Sequence, residues 1–218
     1  MYNIAIDGPA GAGKSTIAKI VAKKLEFIYV DTGAMYRTLA LACFRAGISA
    51  DQEADVIEKC KSVTVTLGYE NGTQKVYLNG EDVSSEIRQE EIGNMTSAIA
   101  VYAPIRELMV SMQRKLAAEN NVVMDGRDIG TVVLPNADLK IYLTASARTR
   151  AERRYKELVE KGQKCDVDAI EADIKDRDYR DMHREIAPLK QADDAELVDS
   201  SNMDIDQVVE AIISKVNK

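Results

Sequence analysis

The N-terminal stretch constrains the fold more than any other part of the chain. Residues 1–20 read MYNIAIDGPAGAGKSTIAKI, in which residues 2–7 form a short apolar run that predicts a buried strand. Residues 8–15 match the pattern G-x-x-x-x-G-K-[ST] at every fixed position, and apolar residues at helical spacing follow from Ile17 to Leu25. A strand, a glycine loop and a helix in this order predict a phosphate-binding loop, and therefore an α/β fold.

The chemistry of this loop points to a nucleoside triphosphate. Glycines allow backbone N–H groups to turn towards anionic oxygens, and the N-terminus of the following helix adds partial positive charge. Lys14 is placed to neutralise the β- and γ-phosphates, and the Ser15 hydroxyl to ligate Mg²⁺. A glycine-rich turn with a solvated lysine is the alternative, which the flanking strand and helix disfavour. The predicted ATP-binding segment consists of Gly8, Pro9, Ala10, Gly11, Ala12, Gly13, Lys14, Ser15 and Thr16.

Composition limits the class of protein. A chain of 218 residues with 45% hydrophobic content is expected to form one sizeable folded domain. The formal net charge of −7 argues against general affinity for nucleic acid or for anionic membranes. Cys43, Cys60 and Cys165 lie far apart in the sequence, without metal-site spacing, and are expected to be reduced packing residues. With no signal-type segment, a cytoplasmic enzyme is the expectation.

A second predicted strand, residues 27–31, ends in Asp31 and is followed by a helix. Thr32 is expected to cap that helix, and Arg37 lies one turn into it. An ordinary strand-to-helix turn would explain this pattern as well. However, ligands of open α/β sheets bind at the carboxyl ends of the strands, so Arg37 is a candidate for binding a phosphate.

The middle of the chain changes from helical to strand periodicity. Residues 63–67 and 75–78 are β-rich runs separated by a loop with Asn71 and Gly72, which predicts a two-stranded hairpin inserted into the fold. A further turn is expected at 79–82. Helices are predicted for residues 90–101 and 105–118, and Pro104 between them either breaks or restarts the helical pattern. Ser97 and Arg106 flank the break, and on sequence alone both are most simply surface polar residues.

A third apolar strand, residues 122–125, closes on an aspartate. Asp125 is followed by Gly126, Arg127 and Asp128, an arrangement similar to the acidic strand ends of nucleotide-binding folds. The N-K-x-D guanine box of GTPases is missing.

A basic helix follows another predicted strand, residues 139–143. Within residues 146–162, Arg150, Arg153 and Arg154 are spaced to share one helix face. A solvated charged face and a mobile lid over phosphates both fit this pattern.

The charged segment 166–185 is predicted to be helical. Arg177, Asp181 and Arg184 are spaced i, i+4 and i+7 and therefore project from one face. A ligand-binding face and a ladder of salt bridges both remain open. His183, the single histidine, lies off that face and is expected to be an exposed residue rather than a base.

Taken together, several stretches resemble the bacterial cytidylate kinases along essentially the whole chain. These stretches are GPAGAGKST, DTGAMYR, NGEDVSSEIR, MDGRDIGTVV and IKDRDYRDMHREIAPL. The resemblance implies a P-loop kinase core with a parallel sheet flanked by helices, a small antiparallel β insert and a helical lid. It implies one nucleoside monophosphate kinase domain over 1–218, with a monophosphate-binding region at about 32–105 and a lid at about 146–162. The implied reaction is transfer of the γ-phosphoryl group of ATP to CMP or dCMP with Mg²⁺.

The resemblance also assigns roles to residues. Catalytic roles fall to Lys14, Arg127, Arg153 and Arg184. Arg37, Arg127 and Arg184 would hold the CMP phosphate. Ser97, Arg106 and Asp128 would read cytosine, and Arg177 and Asp181 would hold the sugar. Arg150, Arg153 and Arg154 would face ATP from the lid. The CMP-binding set is completed by Asp31, Thr32, Tyr36, Asp125 and Gly126.

Other classes of function fit these residues less well. A hydrolytic nucleotide switch is disfavoured by the missing guanine box and by the excess of candidate arginines. A non-catalytic nucleotide-binding module would not need separate arginine clusters. Among kinases, a UMP- or AMP-type nucleoside monophosphate kinase is the alternative. The expected partners are small-molecule substrates, with no nucleic acid and no membrane, and the expected state is a monomer.

Overall fold

The computed structural model describes residues 1–70 and 73–216. The chain divides into two compact units. The first consists of Met1–Tyr29 and Asn120–Lys218, and the second of Val30–Glu119.

A five-stranded parallel β-sheet forms the centre of the first unit. Its strands are β1 (Asn3–Asp7), β2 (Ile28–Asp31), β6 (Val122–Gly126), β7 (Leu139–Thr144) and β8 (Glu196–Asp199), and the chain passes to the second unit within β2. The strand order is β2-β6-β1-β7-β8. β1 therefore lies in the middle, with Ile4 opposite both Val123 and Leu139. Because both faces of a parallel sheet are covered, its strands read as continuous apolar runs, and Ile4, Ala5 and Ile6 are all buried.

The described residues of the first unit also form four α-helices. They are α1 (Lys14–Leu25), α6 (Ala147–Glu160), α7 (Val167–His183) and α8 (Ile205–Ile213), with a π-helical turn at Ile129–Val133. α1 packs against β6 and α8, while α6 packs against α7. Asp204 caps α8 in a reciprocal capping box with Gln207. Along the described part of the chain, each helix is too short or too polar to span a lipid bilayer.

The second unit packs helices against a small antiparallel sheet. Its elements are α2 (Thr32–Arg45), α3 (Glu53–Ser62), β3 (Val65–Glu70), β4 (Thr73–Leu78), β5 (Glu81–Asp82), a 3₁₀ turn (Glu86–Arg88), α4 (Glu90–Ile99) and α5 (Ala103–Glu119). α2 lies at the centre and contacts α3, α4, β4 and the 3₁₀ turn. The apolar side chains of Met35, Leu39 and Ile92 are completely buried here.

The parallel core and the antiparallel insert are both confirmed, with corrections of detail. The insert has three strands rather than two, because Glu81 and Asp82, expected in a turn, pair with β4. The expected loop residues Asn71 and Gly72 lie outside the described residues. Of the two alternatives for Pro104, the structure shows the restart, because Pro104 lies in the first turn of α5, where a missing N–H costs no hydrogen bond.

The cysteines are free thiols, as expected, but two of them are neighbours in space. The sulfur atoms of Cys43 on α2 and Cys60 on α3 lie 3.7 Å apart, and both residues are buried. Packing of α2 against α3 brings them together, which their separation in the sequence did not indicate.

Replacing Gly8 by alanine is expected to destabilise the fold by about 3 kcal/mol or more. A Cβ atom at Gly8 would lie 1.9 Å from the carbonyl oxygen of Leu143, and its φ of +148° is unfavourable for alanine. The matched control is Gly93→Ala in α4, where a Cβ atom meets nothing within 4 Å. That change should stabilise the helix by about 0.5–1 kcal/mol. Urea unfolding followed by circular dichroism compares the variants, and a Gly8→Ala protein as stable as wild type would contradict this geometry.

Candidate functional site

The loop between β1 and α1 has the backbone geometry of an anion site. Gly11 and Gly13 have φ of 75° and 85°, in the left-handed region that favours glycine. Gly13 occupies the N-cap position of α1 and has no side chain to bond the first helical N–H groups. These groups therefore remain oriented towards the loop, where an anion can accept from them.

Lys14 lies inside this loop rather than in solvent. Its side chain is buried, and Nζ donates to the carbonyl oxygen of Pro9 at 2.7 Å. Burial and the positive charge of Arg127 lower the pKa of Lys14 well below its usual value, although Asp125 and Asp7 act in the opposite direction. A negatively charged ligand in the loop would favour the ammonium form.

Asp125, at the end of β6, is held by two hydroxyl groups. Ser15 Oγ donates to its Oδ2 at 2.9 Å, and Tyr29 Oη donates to its Oδ1 at 2.8 Å. A serine hydroxyl and a carboxylate thus lie side by side at the start of α1. Hard oxygen atoms of this kind suit Mg²⁺, which commonly takes only one or two protein ligands beside phosphates and water.

Asp7 fixes the segment that follows β6. Its carboxylate accepts from the N–H groups of Ile129 at 2.8 Å and Gly130 at 2.7 Å, which begin the π-helical turn. Burial raises the pKa of Asp7 to about 6, and the charge of Asp128 acts in the same direction. The sequence placed Asp7 only as the end of a strand, so this role was missed.

Two arginines near the end of β6 face carboxylates. Arg127 Nε donates to Asp181 Oδ2 at 3.0 Å, and Arg184 Nη2 lies 3.7 Å from Asp128 Oδ1. Asp181 is therefore paired outside its own helix. The prediction that Arg184 projects from that helix is wrong, because α7 ends at His183 and Arg184 is extended, with φ of −67° and ψ of 142°. Its Nε donates to the carbonyl oxygen of Ala187.

The remaining predicted positions of α7 lie on its surface. Arg177 is exposed on the helix. His183 is exposed as predicted, and its ring stacks on that of Tyr179 with centroids 4.0 Å apart.

The three arginines of α6 have different partners. Arg150 is buried and bonds to the carbonyl oxygens of Ala10 and Ala145 and to Asp178. Arg153 donates to the hydroxyl and carbonyl oxygens of Ser200. Arg154 is paired with Glu157 on the helix surface at 3.2 Å.

In the second unit, Asp31 forms ion pairs with two arginines. Both its oxygens lie 3.3 Å from Arg37 Nη2, and its Oδ2 accepts from Arg88 Nη2 at 3.1 Å. Burial raises the pKa of Asp31, but the charges of Arg37 and Arg88 outweigh this effect and hold the pKa below its ordinary value. Arg88 was missed at the sequence level, although it ends the quoted stretch NGEDVSSEIR.

The prediction that Thr32 caps α2 is wrong. Asp31 is the N-cap and its Oδ1 accepts from the N–H of Ala34 at 2.8 Å, so Thr32 is the first helical residue. The Asp31 carboxylate has two oxygen atoms, so it can accept hydrogen bonds both from the helix N–H and from the two arginines. Tyr36 lies in the second turn of the helix and is partly buried.

The other candidates of this unit lie on α4 and α5. Ser97 is on α4, where its hydroxyl donates to the carbonyl oxygen of Gly93 at 3.3 Å. Arg106 is only 5% exposed, and its Nη1 lies 3.5 Å from the carbonyl oxygen of Ala100. Arg106 is therefore not the surface residue that periodicity alone suggested.

The titration of Asp7 should be visible in the pH dependence of stability. Its pKa is about 6 in the folded chain and 3.8 in an unfolded one, so the folded state binds the proton more tightly. Protonated Asp7 therefore stabilises the folded state fully below about pH 4. This contribution to the free energy of unfolding, about 3 kcal/mol in total, is lost as pH rises through 6. Asp7→Asn cannot ionise, so the free energy of unfolding of the variant relative to wild type should rise between pH 4 and 7. Urea unfolding at four pH values in this range measures it, and a pH-independent difference would contradict the prediction.

Comparisons with known proteins give one family along almost the whole chain. The family model described as cytidylate kinase matches residues 4–218. The cytidylate kinase of Leuconostoc mesenteroides subsp. mesenteroides is 50% identical over 211 residues, covering 97% of this chain and 94% of the relative. That of Bacillus licheniformis is 49% identical over 216 residues, covering 99% and 96%.

Solved structures support the fold. A shikimate kinase from Bacteroides thetaiotaomicron matches with a TM-score of 0.50 at 15% identity, covering 100% of this chain and 99% of the other. An uncharacterised protein from Eubacterium ventriosum matches with a TM-score of 0.57 at 12% identity and the same coverage. At such identities these likenesses concern the α/β fold only. The match of the family model and the full-length relatives show that this chain belongs to the cytidylate kinase family.

Proposed function

We propose that this chain transfers the γ-phosphoryl group of ATP to CMP or dCMP, giving ADP and CDP or dCDP. Full-length membership of the cytidylate kinase family carries the proposal. The geometry of the first unit supports it. A glycine loop with a buried lysine lies beside arginines that are held by carboxylates, which suits an enzyme that must bind phosphates.

The family uses ATP, and the β1–α1 loop is its proposed binding segment. The backbone N–H groups of residues 8–16, except Pro9, which has none, would surround the phosphates, and Lys14 would leave the carbonyl of Pro9 to bind them. Arg153 and Arg154 are proposed to approach ATP from a lid at 146–162, with Arg150 at its base. Ser15 and Asp125 are the residues that would hold Mg²⁺, which supplies charge neutralisation at the phosphate oxygens when bound.

The family resemblance suggests CMP-binding residues in each unit taken by itself. In the first unit, Arg127 and Arg184 would bind the phosphate, Arg177 and Asp181 the sugar, and Asp128 the base, with Asp125 and Gly126 at the strand end beside them. In the second unit, the proposed residues are Asp31, Thr32, Tyr36, Arg37, Ser97 and Arg106. Arginine suits the phosphate role because its planar group donates two parallel hydrogen bonds and stays charged.

The chemistry asks little of the protein beyond binding. An oxygen of the CMP phosphate is already a nucleophile, so no general base is needed, and the solitary His183 is exposed on α7. Arg127 and Arg184 would neutralise the attacking phosphate, and Lys14 would stabilise the migrating group. Closure of a lid would exclude water, the competing acceptor. We further propose that the enzyme is a cytoplasmic monomer.

A panel of acceptors tests the proposed reaction. ADP release is measured with CMP, dCMP, UMP, AMP and GMP, and with no acceptor. The proposal requires CMP and dCMP to be the preferred acceptors. A preference for UMP or AMP would instead favour the alternative nucleoside monophosphate kinase, and release without any acceptor would favour a hydrolytic nucleotide switch.

Lys14→Ala is expected to reduce kcat by about a thousandfold, because a buried charge aimed at the migrating phosphoryl group is lost. ADP release in the presence of CMP measures this effect. Lys23→Ala, an exposed lysine on the same helix, is the control and should leave kcat unchanged. Full activity of a folded Lys14→Ala protein would contradict the role of the loop.

Asp128→Asn is expected to narrow the preference for CMP over UMP. Cytosine presents a 4-amino donor that suits a carboxylate, whereas uracil presents an O4 acceptor that a carboxylate repels. Each mispaired group should cost about 1–3 kcal/mol, or about tenfold to over a hundredfold in kcat/KM. An amide can donate to O4 after flipping, so the ratio of kcat/KM for CMP and UMP should fall. Asp173→Asn on the exposed face of α7 is the control and should leave this ratio unchanged. An unchanged ratio in Asp128→Asn would show that Asp128 takes no part in base recognition.

A further inference from the structure

Arg150 connects the α6–α7 pair to the phosphate loop. Its Nη1 donates to the carbonyl oxygen of Ala10 at 2.8 Å, and its Nε donates to the carbonyl oxygen of Ala145 at 2.9 Å. Asp178 on α7 accepts from both terminal nitrogens, at 3.1 Å and 2.5 Å. The side chain of Arg150 is 5% exposed and that of Asp178 is 13% exposed. The nitrogen atoms of this guanidinium therefore all donate hydrogen bonds to other groups of the protein.

The contact with Ala10 determines the direction of a neighbouring amide. The Ala10–Gly11 peptide bond is trans, so its carbonyl and its N–H point in opposite directions. Since Arg150 holds the carbonyl of Ala10, the N–H of Gly11 points away from Arg150. A Cβ atom on Gly11 would lie 3.5 Å from the Cβ of Arg150, which shows how closely the side chain follows the loop.

Asp178 keeps Arg150 in this position. A buried guanidinium without a counter-ion is costly, and it would turn towards water if its partner were removed. The carboxylate binds both terminal nitrogens and thereby fixes the plane of the group. The orientation of the Ala10 peptide thus depends on Asp178 of α7 through its ion pair with Arg150.

We propose that Asp178 and Arg150 form a positioning pair, which sets the Gly11 amide towards the triphosphate of ATP before ATP binds. This inference rests on the proposed function, because it assumes that ATP occupies the β1–α1 loop. It gives Arg150 a role in shaping the loop, and it adds Asp178 as a residue that acts through Arg150. An amide held in place beforehand does not have to be ordered during binding, which favours affinity for phosphate.

The test compares Asp178→Asn with Arg148→Gln. Arg148 also links α6 to α7, through Asp168 and Glu171, and these partners lie outside the β1–α1 loop. Calorimetry measures the affinity of each variant for ATP, for inorganic tripolyphosphate and for CMP. Hydrogen exchange measures the protection of residues 8–13.

Asp178→Asn should lower the affinity for ATP and for tripolyphosphate by about tenfold, because the charge that holds Arg150 is lost. CMP affinity should change less than twofold, and exchange of residues 8–13 should be faster. Arg148→Gln should bind all three ligands as wild type does. Asp178→Glu, which keeps the charge, should recover part of the ATP affinity.

Three outcomes would overturn the inference. The first is wild-type affinity for ATP in Asp178→Asn. The second is an equal loss in Arg148→Gln, which would assign the effect to the packing of α6 on α7. The third is an equal loss of CMP affinity in Asp178→Asn, because Arg177 and Asp181 on the same helix would then be displaced too. If wild type itself binds neither ATP nor tripolyphosphate, the proposed function fails first, so the two failures are distinguishable.

Discussion

The arrangement of the first unit depends on the turn at Gly8, where the central strand β1 leaves the sheet beside β7. The backbone of β7 approaches so closely that no side chain fits at this position. This close approach allows the chain to enter the glycine loop at once and to start α1 at Lys14. The loop amides, Lys14 and Ser15 are consequently placed at the carboxyl edge of the sheet, the usual place for a ligand in an open α/β fold.

Carboxylates hold the positively charged arginines in place within each unit. Asp181 holds Arg127 and Asp178 holds Arg150, while in the second unit Asp31 holds both Arg37 and Arg88. Partly buried arginines need such partners, since an unpaired buried charge is strongly unfavourable. The pairs also keep each guanidinium in a defined position. A chain with a net charge of −7 can thus present local positive charge to an anionic substrate.

Asp7 and Asp125 show how the ends of adjacent strands cooperate. Asp7 closes β1 and binds the first N–H groups of the π-helical turn, which follows Arg127 and Asp128. Asp125 closes β6 and accepts from Ser15 at the start of α1. The end of each strand therefore fixes the segment that follows the adjacent strand. The position of the candidate side chains follows from this exchange between β1 and β6.

The phosphate loop, the parallel core and the antiparallel insert could be predicted from the sequence because each is encoded locally. Glycines with positive φ, a lysine at fixed spacing and runs of apolar residues need only near neighbours to be recognised. The sequence did not indicate that Arg150 lies beneath the loop, that Arg88 binds Asp31 or that Cys43 adjoins Cys60. Long side chains with several rotamers take the partners that helix packing brings near. The sequence therefore determined the class of fold and the chemistry of the loop, whereas only the tertiary structure decided which carboxylates Arg88, Arg127 and Arg150 meet, because those contacts join residues distant along the chain.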